Sequence, residues 1–225
     1  MAKKHLMIIS ELILAFLTFF ELSCLPPGQL ETPASLPEQI PIQEAKVDPA
    51  FSTTKMEVIA LLPFTNAIEY EDVYVLYDNL VDKFNSKHPQ YRIIPPREVK
   101  ARISSAKLDD DFNVFLGDYT NIGVANKEFL KKIERILGVN AVLIGEILAM
   151  GPYSYRERRV GLISGRVYYE NVNVNRLGIN LFCFRTKDGR KIWEGKHILS
   201  EKADLSTLAS KLAEIFANYF GRRRY

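Results

Sequence analysis

The chain has 225 residues, of which 47% are hydrophobic and 25% are charged, and its formal net charge is +3. This composition excludes a disordered chain and an all-membrane protein, and the small net charge is not a nucleic-acid-binding signature. The length suits one domain of about 100–200 residues together with shorter additional segments.

Residues 1–24 have the pattern of an export signal. Lys3 and Lys4 form a basic start, and Leu6–Phe20 form an apolar stretch. This order is typical of a secretory signal peptide, so we expect the chain to be exported.

Leu22-Ser23-Cys24 then resembles a bacterial lipobox, although Glu21 stands where a large apolar residue is usual. We expect a lipoprotein that carries acyl chains such as palmitate on Cys24, facing the periplasm. Leu25 favours the outer membrane over the inner one. An uncleaved membrane anchor is the alternative, because Leu6–Leu25 has about the 20 residues that a bilayer requires.

Residues 25–50 are predicted to be a disordered linker. They hold six of the eleven prolines and no aromatic residue. Such sequences favour an extended conformation of about 3.1 Å per residue, so this tether could reach about 80 Å. It would let a folded domain, residues 51–225, meet a partner away from the membrane.

The cysteines give the folded domain no internal cross-link. Cys24 and Cys183 are the two in the chain, and a lipidated Cys24 leaves Cys183 without a disulfide partner. Cys183 lies in a predicted strand, and we interpret it as an inert core residue.

The first part of the domain has the patterns of alternating strands and helices. Apolar runs that end at prolines predict strands, and apolar residues three and four apart predict helices. The predicted elements are a strand at Glu57–Phe64, a helix from Val73 to Phe84, a strand at Tyr91–Ile94 and a short helix at Arg97–Lys107.

The segment Leu108–Asn126 is interpreted as a solvated acidic loop. Its alternating acidic and amide residues begin like a calcium loop. However, Val114 stands where glycine is needed and Thr120 where a bidentate glutamate belongs. We therefore expect no calcium site.

The stretch Val139–Leu148 is predicted to be the central strand. Its middle, Ala141–Ile144, is continuously apolar, which is typical of a strand covered on both faces. The preceding segment Lys127–Leu137 has helical spacing, and Gly138 is placed to end that helix.

The segment Gly151–Arg159 is interpreted as an exposed loop, because its Gly-Pro start is a turn signal. Tyrosine and arginine are enriched in interface hot spots. We therefore propose five of its residues as candidate partner contacts: Tyr153, Tyr155, Arg156, Arg158 and Arg159.

The remaining chain predicts a meander of strands and a final helix. The strands are Val160–Val174, Leu177–Arg185 and Lys191–Leu199, the last two joined by an Asp-Gly turn, and the helix runs from Leu205 to Tyr219. Trp193 is expected to be buried between sheet and helix. Together the elements predict an α/β fold, with a mixed-direction sheet of about five or six strands and helices packed on it.

Three segments carry a resemblance to a known family. They are the opening strand Val58–Phe64, the helix-to-strand passage Ile136–Glu146 and the hairpin Leu181–Trp193. Their order resembles the periplasmic lipoprotein superfamily that contains the curli-secretion channel subunit (CsgG) and the penicillin-binding-protein activator (LpoB). The amino-terminal domain of TolB is a more distant relative.

The resemblance implies a non-enzymatic, tethered module in the cell envelope. Such a module would bind and regulate or scaffold an envelope protein, for example a peptidoglycan synthase during peptidoglycan assembly. We expect no cofactor, no metal and no nucleic-acid partner.

Two other functions stay open at this point. An envelope hydrolase is disfavoured because none of the common catalytic motifs appears, although a carboxylate pair has no fixed spacing. A subunit of an oligomeric outer-membrane secretion channel is disfavoured because Val160–Val174 is the one segment that resembles a membrane-inserted strand.

Overall fold

A computed structural model describes residues 42–66, 72–122, 125–160 and 165–222 of the protein. The expected export signal, the expected lipidation residue Cys24 and most of the expected linker lie outside these residues. No helix of the described ranges is long and apolar enough to cross a membrane.

The described residues form one sheet of six strands and six helices. The strands are β1 Glu44–Val47, β2 Val58–Leu61, β3 Arg92–Ile94, β4 Ala141–Val160, β5 Val167–Arg185 and β6 Lys191–Glu201. The helices are α1 Ala50–Thr53, α2 Val73–Lys87, α3 Pro96–Ser105, α4 Asp109–Ile122, α5 Lys127–Leu137 and α6 Leu205–Tyr219.

The strand order in the sheet is β1-β6-β5-β4-β2-β3. Strand β2 pairs in parallel with β3 and β4, and the other neighbours are antiparallel. This arrangement confirms the expected α/β fold with a mixed-direction sheet.

Helices cover both faces of the sheet around the first residues of β4. Leu143 lies in the hydrophobic cluster formed with α2 and α6. Val142 and Ile144 lie in the opposite cluster, formed with α3, α4 and α5. All four residues of Ala141–Ile144 are buried, which explains why this stretch is apolar without alternation. The prediction of a central strand here is confirmed.

The helix before this strand begins and ends as its sequence predicts. The side chain of Asn126 accepts hydrogen bonds from the backbone N–H groups of Glu128 and Phe129, at 3.1 Å each. Gly138 follows the helix with a φ of +66°, a left-handed conformation that favours glycine.

The prediction of an acidic loop at Leu108–Asn126 is wrong. This segment contains helix α4, whose aromatic residues recur at three- and four-residue intervals and are buried: Phe112, Phe115 and Tyr119. The aspartates at positions 109–111 occupy its first turn. Acidic residues stabilise a helix N-terminus, so the charge run marks where the helix begins.

The expected boundary between linker and domain at residue 51 is also wrong. Ile42 is buried, and Glu44–Val47 pairs with β6 as the edge strand of the sheet. Asp48 forms an ion pair with Arg190 at 2.7 Å. The folded part therefore begins no later than residue 42, and residues 42–50 of the expected linker, with Pro49 as their one proline, belong to it.

The burial predicted for Trp193 and Cys183 is confirmed. Trp193 is 1% exposed, and its ring meets the ring of Phe220 edge to face at 5.0 Å. The Cys183 thiol is free and fully buried, and burial raises its pKa, which disfavours the reactive thiolate.

Candidate functional site

Strands β4 and β5 extend well past the rest of the sheet. Toward its N-terminal end, β5 pairs with β6 only as far as Asn175. Strand β4 pairs with β2 only as far as Leu143. Beyond these points the two strands pair only with each other, up to Val160 opposite Val167. We call residues 151–160 and 167–174 the arm. Ten strand residues give it a length of about 33 Å.

The prediction of a loop at Gly151–Arg159 is therefore wrong, since this segment continues β4. Gly151 has a φ of +124°, yet the pairing with β5 runs through it without interruption. Pro152 is tolerated because β4 has no outer strand neighbour at this point. The alternating tyrosines and arginines that follow favour an extended strand.

Successive residues of a strand point to opposite faces, so the arm has two different sides. The tyrosine side carries Tyr153, Tyr155, Glu157 and Arg159 of β4 with Tyr168, Glu170, Val172 and Val174 of β5. The arginine side carries Ser154, Arg156, Arg158 and Val160 of β4 with Val167, Tyr169, Asn171 and Asn173 of β5.

The tyrosine side is aromatic near the sheet. The rings of Tyr153 and Tyr155 stack at 6.2 Å, and the guanidinium of Arg176 lies 5.1 Å from the Tyr153 ring centroid. The residues opposite them, Val174 and Val172, are buried. Both tyrosines are more than 40% exposed, so this part of the arm presents accessible aromatic side chains.

The charges on the tyrosine side are paired with one another. Arg159 contacts the carboxylate of Glu157 at 2.8 Å and that of Glu170 at 3.5 Å. All three side chains are about half exposed, so these pairs add little stability. Their effect is to leave this side without excess positive charge.

On the arginine side of the arm, no described carboxylate compensates the positive charges. Ser154 Oγ donates to Asn173 Oδ1 at 2.7 Å near the sheet. Farther out, Arg156 and Arg158 form no ion pair with any residue that the structure describes. This side therefore carries two free positive charges and no carboxylate.

The arm concentrates the exposed apolar surface of the domain. Ten large apolar side chains among the described residues are exposed, and six lie in the arm: Tyr153, Tyr155, Val160, Val167, Tyr168 and Tyr169. Exposed apolar side chains scattered singly need no explanation, whereas a local concentration marks an interaction surface.

The structure thus divides the five residues proposed from the sequence. Tyr153, Tyr155 and Arg159 share the tyrosine side, whereas Arg156 and Arg158 lie on the other. The sequence interpretation missed the contribution of β5, where Tyr168 and Tyr169 are more than half exposed. The alternation within Val160–Val174 was the available signal, and pairing it with Gly151–Arg159 would have found them.

Both histidines of the described residues, His88 and His197, have structural contacts. The buried His197 ring accepts a hydrogen bond from the backbone N–H of Gln43 at 3.1 Å. His88 Nε2 lies 2.6 Å from the carbonyl oxygen of Ala217. Among the described residues, no group of three or more histidine, cysteine, aspartate or glutamate side chains could hold a metal ion.

A cavity of about 430 Å³ lies between the start of the domain and the end of α6. Val47, Asp48, Phe51, Tyr219 and Arg222 are among its lining residues. A hydrogen bond from the Ala50 backbone, followed by one from Arg190, lowers the pKa of Asp48. The carboxylate is therefore held ionised and paired, which does not suit an acid–base role.

No protein-family model matches the chain, and no curated protein matches it. The structure is similar to that of PelC from Paraburkholderia phytofirmans, which is a dodecamer. The identity is 12% and the TM-score 0.45, over 81% of this chain and 97% of that one. It is also similar to the lipoprotein GNA1162 from Neisseria meningitidis, with 15% identity and a TM-score of 0.35 over 72% and 96% of the two chains.

A PDZ domain protein from Parabacteroides distasonis is similar at 8% identity and a TM-score of 0.40. That similarity covers 81% of this chain and 36% of the other. At these identities the similarities assign no residue role and no activity to this chain.

Proposed function

We propose that the protein is a membrane-tethered, non-enzymatic lipoprotein of the bacterial envelope whose arm binds another envelope protein. The observation that carries this proposal is the concentration of exposed apolar side chains on the arm. A two-stranded ribbon that leaves the sheet adds little to the core, so its exposed tyrosines and valines are explained better by contact than by folding.

The tyrosine side near the sheet is the part of the arm that best suits a protein partner. Tyr153 and Tyr155 already stack, so little conformational entropy is lost when a partner covers them. The buried Val172 and Val174 lie opposite them on the same side of the arm. Exposed aromatic side chains beside buried apolar ones are typical of interface hot spots.

The partner that we propose is an envelope protein that the module regulates or scaffolds, such as a peptidoglycan synthase. The proline-rich composition of residues 25–41 and the resemblance described from the sequence support this proposal. A tether of 17 extended residues would reach about 50 Å from the membrane.

The proposal is tested by comparing the tyrosine side with a matched exposed tyrosine elsewhere. The full chain carrying Tyr153→Ala with Tyr155→Ala is expected to lose partner capture by about thirty-fold, equivalent to about 2 kcal/mol. Tyr74→Ala in α2 is the control, because Tyr74 is exposed to a similar degree. Capture is measured by quantitative mass spectrometry of cross-linked envelope extracts.

Equal capture by the double variant and the control would contradict this assignment of the surface. A second double variant distinguishes the two sides of the arm. Arg156→Ala with Arg158→Ala leaves the tyrosine side intact, so it is expected to keep protein capture within about three-fold of the parent.

The anchor is tested independently of the partner. Cys24→Ser is expected to abolish incorporation of labelled palmitate and to block processing, because the thiol is the acylated group. Cys183→Ala is the matched control and should keep full labelling, since Cys183 is buried in the domain core. Labelling that persists in the Cys24 variant would contradict lipidation.

A subunit of an outer-membrane secretion channel is the second candidate, and one observation favours it. Among the described residues, no strand pairs with either outer edge of the arm. Unpaired edges are templates for pairing with another chain, and one arm per subunit could enclose a pore only in a large ring. Native mass spectrometry of the full chain in detergent would separate the candidates, since a monomer would exclude the ring.

A further inference from the structure

The arginine side of the arm changes character in a fixed order from the sheet to its end. Cross-strand pairs succeed one another as Ser154 with Asn173, Arg156 with Asn171, Arg158 with Tyr169, and Val160 with Val167. The sequence of chemistry along the axis is therefore neutral polar, basic, basic with aromatic, and apolar. No carboxylate interrupts it.

The side chains at the outer end are accessible. Tyr169 is 68% exposed, Val160 is 55% exposed and Val167 is 47% exposed. Apolar side chains at the end of a projecting ribbon contribute nothing to either hydrophobic cluster of the domain. They are accessible for contact with an apolar phase, and the exposed Arg166 stands next to Val167 in the chain.

The spacing of these groups matches the layers of a bilayer surface. Strand residues rise about 3.3 Å each, so Arg158 lies about 7 Å and Arg156 about 13 Å behind the valine pair along the arm. The interfacial region between hydrocarbon and water is about 5–8 Å thick on each side. Valines at the acyl boundary would place Arg158 and Tyr169 in the outer part of that region. Arg156 would lie about 5–8 Å beyond it, where attraction to anionic headgroups still acts.

Each residue type also suits the layer it would occupy. Tyrosine is enriched at membrane interfaces because its ring is apolar and its hydroxyl polar. Arginine forms bidentate hydrogen bonds to phosphate oxygens, and basic residues are attracted to anionic headgroups. On the tyrosine side, by contrast, Arg159 is paired with the carboxylates of Glu157 and Glu170.

We propose that the end of the arm binds, through its arginine side, a phospholipid bilayer that carries anionic headgroups. This contact goes beyond the proposed function, which uses the tyrosine side near the sheet. The arm would then present Tyr155 and Tyr153 to a partner at about 17–23 Å from the valine pair, measured along the arm.

The test is vesicle flotation with a soluble chain of residues 40–225. Both hydrophobic clusters are formed by residues of the range 42–222, and residues 40–225 constitute one compact unit. Removing the N-terminal segment ensures that any vesicle binding comes from the domain. We expect flotation with vesicles of phosphatidylcholine and phosphatidylglycerol at 7:3, and at least about ten-fold weaker binding to pure phosphatidylcholine.

Two double variants examine the basic and apolar parts separately. Arg156→Gln with Arg158→Gln is expected to weaken binding to anionic vesicles about thirty-fold, since each basic residue near such a surface contributes about five-fold. Val160→Ser with Val167→Ser is expected to weaken it about ten-fold through lost burial of apolar groups. Circular dichroism should show an unchanged fold for both, because the changes lie outside the core.

The control for charge is Arg92→Gln with Arg135→Gln, which lowers the net charge by the same amount as the arginine variant of the arm. Both arginines are exposed and form no ion pair among the described residues. This control should bind within about three-fold of the parent. The proposal is overturned if the arginine variant binds like this control, or if the parent chain binds neutral and anionic vesicles equally. Failure of the parent chain to float would also overturn the proposal. An acidic protein would then be the favoured partner of the arginine side.

Discussion

Strands β4 and β5 form one long hairpin whose two parts lie in different environments. Near the first residues of β4, each strand has a neighbour on its outer edge and helices on both faces. In the arm, the two strands have only each other. We call the rest of the sheet, outside the arm, the base. In the base, Ala141–Ile144 of β4 is continuously apolar, whereas the arm alternates tyrosine with arginine or polar residues. The comparison teaches that extended conformation follows from alternation and β-propensity, whereas burial of both faces of a strand requires neighbours outside the hairpin.

The stability of the two regions should differ accordingly. An isolated two-stranded hairpin is marginal in water, so the register of the arm depends on its continuity with the paired and covered base. Substitutions at the base should lower the free energy of unfolding of the whole domain, whereas substitutions in the arm should change contacts and leave stability nearly unaltered.

The largest expected effect is at Trp193, which packs at the base beside β5. Trp193→Ala should lower the free energy of unfolding by about 3–5 kcal/mol, because it removes a large buried ring and leaves a cavity. Tyr169→Ala in the arm is the matched aromatic truncation and should cost less than about 0.5 kcal/mol. Urea denaturation followed by circular dichroism measures both. Equal losses would show that the arm is as much part of the folding unit as the base.

A smaller effect is expected at Gly145, where crowding at the base leaves no room for a side chain. An added Cβ would lie 2.5 Å from Cε1 of Phe64, whose ring is itself held edge to face by Tyr77 at 5.0 Å. Gly145→Ala should therefore cost about 1–3 kcal/mol in free energy of unfolding.

The control for Gly145 is Gly117→Ala in helix α4, where a Cβ would meet no atom within 4 Å. Alanine favours a helix interior over glycine, so this change should be neutral or stabilise the domain by up to about 1 kcal/mol. Thermal denaturation of the two variants gives the comparison. A Gly145 variant as stable as the parent would show that the Phe64 ring moves aside freely.

Local patterns in the sequence predicted most of the base. The apolar run at Ala141–Ile144 and the glycine after α5 correspond directly to the structure, because burial and helix termination act on neighbouring residues. Helix α4 was missed because its acidic first turn was given more weight than the buried aromatics behind it. Charge at a helix N-terminus and charge in a loop have the same sequence appearance.

The arm could be predicted only in part, for a different reason. Residue type makes Tyr153 and Tyr155 candidate contact residues, but grouping them with Arg156 assumes a loop. In a strand, neighbours in sequence point apart, and neighbours in space come from the partner strand. The register that brings Val172 opposite Tyr155 depends on pairing across the whole hairpin, which no local pattern contains.

The smallest expected effect concerns charged pairs, which both regions contain on exposed surface. At the base, the Asp188 carboxylate accepts a hydrogen bond from Arg185 Nε at 3.0 Å, and its pairing with this guanidinium lowers the pKa of Asp188 to about 2. A carboxyl group whose pKa is lowered by folding adds stability above its unfolded pKa, and loses it as the pH falls through the folded value.

Asp188→Asn should therefore lower the free energy of unfolding at pH 7 by less than about 1 kcal/mol, since the pair is partly exposed. The difference from the parent should shrink between about pH 4 and pH 2, where the parent carboxylate becomes protonated. Glu170→Gln in the arm should change stability by less than about 0.5 kcal/mol at pH 7. Urea titrations at pH 7, 4 and 2.5 measure these differences. If the Asp188 variant lost the same free energy of unfolding at every pH, the charge of the carboxylate would not be the cause. The effect would then be assigned to the geometry of the turn.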